Sequence, residues 1–96
     1  MPAYIIVLRE SPVRDADAYA TYQQKNRAVP PPVDLKPLVA YGSIQALEGE
    51  APDGVVVLQF DSVEDAKAWY QSPAYQDALP HRLRCADWRA FIVEGI

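Results

Sequence analysis

The chain has 96 residues, half of them apolar, and a formal charge of −4 from 9 basic and 13 acidic side chains. That length fits a single domain over residues 1–96, with a core small enough that association would add to its stability. No basic run is present to neutralise phosphates, no stretch nears the ~20 apolar residues of a membrane helix, and MPAYIIVLRE lacks the basic start and long apolar run of a signal peptide.

Tyr4–Leu8 is a β-branched and aromatic run that reads as a strand, apolar on both alternating sets, Tyr4/Ile6/Leu8 and Ile5/Val7. Asp15 to about Val29 reads as a helix. Asp15 is a good N-cap, Ala18, Tyr19, Tyr22, Asn26 and Val29 follow helical spacing, and Lys25 and Arg27 suit the C-terminal end of the dipole. Val29–Pro37 holds four prolines and predicts a stiff, extended connector, with a docking segment or lid as the functional alternative. Val39–Glu48 is expected to form the second strand, interrupted at Gly42. Gly49–Gly54 carries turn chemistry, and Val55–Asp61 forms the third strand in an antiparallel hairpin.

Ser62 with Asp65 approximates a capping box for a helix whose apolar stripe is Ala66, Trp69 and Tyr70. That helix halts near Ser72, which can cap a new one with Pro73 at its first position. Tyr75, Leu79 and Arg82 then share a face, and Pro80 limits the regularity of this segment. Trp88–Glu94 is the last strand, with Trp88/Ala90/Ile92 on one face and Arg89/Phe91/Val93 on the other.

The order strand, helix, strand, strand, helix pair, strand is the α+β pattern of a ferredoxin-like βαββαβ sandwich: an antiparallel four-stranded sheet with helices on one face and strands one and three in its centre. Because both faces of those central strands are apolar, a monomer would leave bare an apolar sheet face of several hundred Å2. A second copy covering that face would give a homodimer and a dimeric α+β barrel. The alternative is a monomer whose open face binds an apolar ligand.

The stretch Ser62–Arg82, with Ala46–Phe60 before it and Phe91–Gly95 after it, resembles domain-of-unknown-function family 1330. The most specific piece is Ala66, Ala68, Trp69, Tyr70, Ser72, Pro73, Tyr75 and Gln76, and Asp17, Ala18, Tyr19 and Tyr22 resemble the family's first helix. The triple proline departs from the commoner family form. The resemblance implies a small bacterial protein of the dimeric α+β barrel superfamily. It implies no reaction, since fold relatives include cofactor-free monooxygenases, isomerases and haem enzymes.

His81, the sole histidine, is the natural general acid–base and the candidate catalytic residue. Arg82 beside it can bind a carboxylate or phosphate, and Tyr70 and Tyr75 can stack on or hydrogen-bond to an aromatic or phenolic ligand. Such a set suits binding or transforming a small aromatic or carboxylic molecule without a cofactor. The competing reading makes Trp69, Tyr70 and Tyr75 core residues and the chain a non-catalytic or structural homodimer. A haem would need His81 as its axial ligand, and nothing around it argues for one. Cys85, the single cysteine, has no placed base to activate it and reads as a buried apolar residue. With no disulfide possible and no metal-ligand spacing, the expectation is a cytoplasmic protein with no metal or cofactor and neither nucleic-acid nor membrane partners.

Overall fold

A computed structural model describes all residues, 1–96. The two most apolar runs become neighbouring central strands, β1 (Ala3–Arg9) and β3 (Gly54–Phe60). The flanks are β2 (Leu35–Ala40) beside β3 and β4 (Trp88–Glu94) beside β1, giving the order β2-β3-β1-β4 with every pair antiparallel.

Ile5 lies opposite Leu58 on one side and Ile92 on the other. Strand alternation then puts Ala3, Ile5, Val7 and Arg9 on the same face as Gly54, Val56, Leu58, Phe60, Trp88 and Ile92. Helices α1 (Ala16–Ala28), α2 (Val63–Gln71) and α3 (Pro73–Cys85) cover this face, and the core of Ile5, Val7, Phe60, Ala66, Trp69, Tyr75 and Leu79 lies between the layers. The other face carries Tyr4, Ile6, Leu8, Val55, Val57, Phe91 and Val93 and no helix. Phe91 is 45% and Val93 43% exposed there.

Local chemistry fixes the helix starts. Asp15 Oδ1 accepts from the Ala18 amide at 3.0 Å, and Ser62 Oγ accepts from the Asp65 amide at 3.1 Å. Ser72 acts on two helices at once. Its hydroxyl donates to the Trp69 carbonyl at 2.8 Å, closing α2, and accepts from the Tyr75 amide at 3.3 Å, opening α3. The chain can therefore turn between helices without leaving either end open. α3 runs on through Pro80 to Cys85, longer and more regular than that proline predicts. The lost amide at Pro80 removes one rung and leaves the apolar face intact.

The second strand lies earlier than the sequence pattern places it. It spans Leu35–Ala40, so Pro37 is a strand residue. This is tolerated because β2 is an edge and one of its sides has no ladder to complete. A register irregularity between Pro37 and Val39 absorbs Leu38. Beyond Ala40 the ladder ends at Tyr41, whose amide donates to the Val55 carbonyl at 2.9 Å. Tyr41 adopts a left-handed backbone, φ 59°, which breaks the alternation and turns its ring to the helix-covered side, 6.4 Å and edge-on to Tyr19. From Gly42 to Pro52 no backbone hydrogen bond forms. Pairing resumes where the Asp53 amide donates to the Arg9 carbonyl at 2.7 Å. The expected strand through Glu48 is therefore an open segment, with Leu47 96% exposed.

Candidate functional site

α3 divides its residues cleanly. Tyr75, Ala78, Leu79, Arg82 and Cys85 are buried, while Asp77, His81 and Arg84 follow one another on the outer stripe. Arg82 is the one buried charged residue, 3% exposed. Its carbonyl is well used, accepting from Trp88 Nε1 at 2.9 Å and from Cys85 Sγ at 3.1 Å. Its guanidinium is not: Nε and Nη1 are buried with no acceptor. Its Cζ lies 5.1 Å from the centroid of the Trp88 ring, a cation–π contact that offsets part of the desolvation. The ion pairs, Arg14–Asp87, Lys25–Asp77 and Arg89–Glu10, all lie elsewhere, so no carboxylate neutralises it.

Two tyrosines share its field. Tyr22 of α1 and Tyr75 of α3 meet hydroxyl to hydroxyl at 3.1 Å, with their rings edge to face at 6.1 Å. Burial pushes both phenols above their ordinary range. The positive charge of Arg82 pulls the other way and does not prevail. Both therefore stay protonated at neutral pH and act as donors, not bases. Of the two hydroxyl protons one is shared within the pair, leaving the other for a further acceptor.

Tyr75 is also a wall of a cleft of about 220 Å3, lined by Val29, the three prolines Pro30–Pro32, Leu35, Leu58 and Trp69, with Lys25, Asn26 and Ser72 among its polar lining. Ligand pockets for larger molecules run from about 300 to 1,000 Å3, so this one is sized for a single small ring. The proline tract is thus a connector that also forms a cleft wall.

The structure brings Tyr75 and Arg82 together and sets the other two predicted residues apart. Tyr70 stacks near Tyr75, with centroids 5.4 Å apart, but opens on a separate apolar hollow with Ile5, Ala90, Phe91 and Ile92. His81 is one residue from Arg82 and therefore about 100° around the helix. Its Nδ1 pairs with Arg84 Nη2 at 3.0 Å on the exposed side. As a general acid–base for the interior it is misplaced. Tyr22, Trp88, Arg9 and Tyr41, which surround Arg82 or its neighbours, gave no sign in the sequence beyond strand or helix spacing. Only the contact between α1 and α3 makes Tyr22 and Tyr75 a pair. No His, Cys, Asp and Glu group could hold a metal ion, and no helix is long and apolar enough to cross a membrane.

Architecture and site together define a ferredoxin-like α+β protein: an open antiparallel sheet, helices over one face, and an unneutralised arginine between the layers. The chain belongs to the family described as Domain of unknown function (DUF1330), whose model matches residues 2–96. No curated protein matches it. Among solved structures it is similar to the methylated RPA0582 protein, with 22% identity over 99% of this chain and 81% of that one and a TM-score of 0.75. The RPA0582 protein of Rhodopseudomonas palustris, of unknown function, gives 21% over 99% and 82% at 0.66. A dimeric ferredoxin-like protein of unknown function from Thermobifida fusca gives 15% over 97% and 90% at 0.58. At these identities the likeness establishes the fold.

Proposed function

We propose that this protein binds a small organic carboxylate between its helix layer and its sheet, with Arg82 as the counter-ion. One observation carries the reading: a guanidinium 3% exposed, two of its nitrogens without an acceptor, and no carboxylate paired with it. A buried unpaired cation is strongly unfavourable, and a bound anion removes most of that penalty. The ligand's carboxylate takes a charge-assisted fork on Arg82 and a hydrogen bond from the Tyr22–Tyr75 pair. Its apolar body lies against Trp69, Leu58 and Leu35 in the cleft, past the edge of Tyr75.

The site supplies donors and a positive charge and no base, which favours binding over proton abstraction. Catalysis, with His81 as its acid–base, has no support in the geometry of α3. The partner we propose is a second copy of the chain. The helix-free sheet face exposes Phe91 and Val93 beside Ile6, Leu8, Val55 and Val57, and the similar proteins from Bacteroides fragilis and Thermobifida fusca are described as dimeric. The lone, fully buried Cys85 fits a reducing, cytoplasmic setting.

The test is calorimetric titration with 3-phenylpropionate. Wild type should bind, Arg82→Met should abolish binding, and Arg84→Met and His81→Ala, both on the outer stripe, should bind as wild type does. No binding to wild type, or equal binding to Arg82→Met, overturns the reading.

A further inference from the structure

A second guanidinium, that of the half-buried Arg9, also lacks a carboxylate counter-ion. Arg9 closes β1 on the helix-covered face, and its register partners are Gly54 on one side and Trp88 on the other. Its Nη2 donates to the Asp53 carbonyl at 3.1 Å, but its Nε is buried with no acceptor, as in Arg82. Trp88 is thus both the cross-strand neighbour of Arg9 and the ring beneath Arg82, so the two cations flank one row of the sheet. Neither forms an ion pair with a carboxylate. Two like charges sharing a partly desolvated space repel each other, and one monoanion leaves the pair with a net positive charge.

Tyr41 closes this end. Its ring lies 6.0 Å from Arg9 Cζ and over Gly54, where an added Cβ would stand 2.9 Å from Cδ1 of that ring. The absence of a side chain at Gly54 is what admits the ring. Burial and a hydrogen bond to Tyr19 push the Tyr41 phenol up, and the charges of Arg9 and Arg82 pull against that rise without prevailing. The ring is held by a left-handed backbone rare for a residue with a Cβ. It is followed by a segment with no ladder, while its own amide still donates to the Val55 carbonyl.

We infer that Arg9 and Arg82 together form a two-guanidinium site selective for a dicarboxylate, capped by Tyr41. The inference rests on the reading that Arg82 receives a carboxylate and adds the class of ligand: a second carboxylate, reaching Arg9 along the row from Trp88. Arg9 is then a specificity determinant and Tyr41 the cap over it.

The experiment compares 2-phenylsuccinate with 3-phenylpropionate, which differ by one carboxylate, on the intact protein by calorimetry, with inorganic phosphate as a third probe. Wild type should bind the dicarboxylate at least about tenfold more tightly, the difference of one charge-assisted pair. Arg9→Met should erase the preference while keeping 3-phenylpropionate binding. That retained binding also reports that the variant is folded. Gly54→Ala, which pushes the Tyr41 ring off its seat, should change dicarboxylate affinity at least threefold and leave the monocarboxylate within twofold. Equal wild-type affinity for the two acids, a preference that survives Arg9→Met, or tighter binding of phosphate than of either acid overturns the two-arginine site alone. Failure of wild type to bind any carboxylate overturns the Arg82 reading and this one with it.

Discussion

Arg82 sits where a sequence reader expects a hydrophobe, and the consequence is measurable without a ligand. Its guanidinium lacks acceptors for Nε and Nη1, so replacing it by an apolar residue of similar length removes a desolvated charge and keeps the packing. Arg82→Met should therefore raise the stability of the empty protein by about 1–4 kcal/mol, read as a higher urea midpoint. A lower midpoint would mean that the guanidinium has an internal partner. The phenols give a pH signature of opposite origin. Burial raises Tyr22, Tyr75 and Tyr41 in the folded state, so below the unfolded phenol value of about 10 their contribution is fully present. As pH climbs past that value the unfolded chain ionises first, and stability falls. Denaturation at pH 8 to 11.5 should show this fall, and Tyr22→Phe should flatten it. Helical spacing puts Tyr75 and Arg82 on the stripe of Leu79, so their place on the inner face of α3 was legible. His81 lies off that stripe, because adjacency in sequence is separation around a helix. That Arg82 lacks a partner is a fact about α1, α3 and β4 together, and no local pattern encodes it.

At the scale of elements, the legible features are those with local causes. The double role of Ser72 follows from a hydroxyl placed between a helix end and Pro73. Ser72→Ala should cost about 1–2 kcal/mol, since the Tyr75 amide loses its partner and the Trp69 carbonyl keeps only the Ser72 amide. The same substitution at the exposed Ser43 should cost within about 0.5 kcal/mol. The second strand was misplaced because Val39–Glu48 has strand composition, but a strand exists only where something pairs with it. β3 offers its edge from Phe60 back to Val55, and Leu35–Tyr41 fills that edge. The Tyr41 backbone then carries the chain away, leaving Ile44 and Leu47 to solvent.

For the whole molecule, the sheet order could be anticipated from the βαββαβ element order, with the two most apolar runs agreeing as its central strands, and their apolar faces anticipated the bare face opposite the helices. A homodimer formed through that face should dissociate on Phe91→Asp, because a carboxylate at the centre of an apolar interface has no partner there. Sedimentation should show the 10.7 kDa monomer for the variant and a species twice that mass for wild type. A monomeric wild type at tens of micromolar would remove the dimer.

The sheet order also sets a schedule. Ile5 is synthesised early, yet the residues that flank it, Leu58 and Ile92, leave the ribosome only much later. The most apolar strand therefore waits with both backbone edges open until β3 emerges, and with one edge open until β4 does. Nascent chains stalled before Trp88 should be captured by holdase chaperones through Tyr4–Leu8, and release should coincide with the emergence of β4.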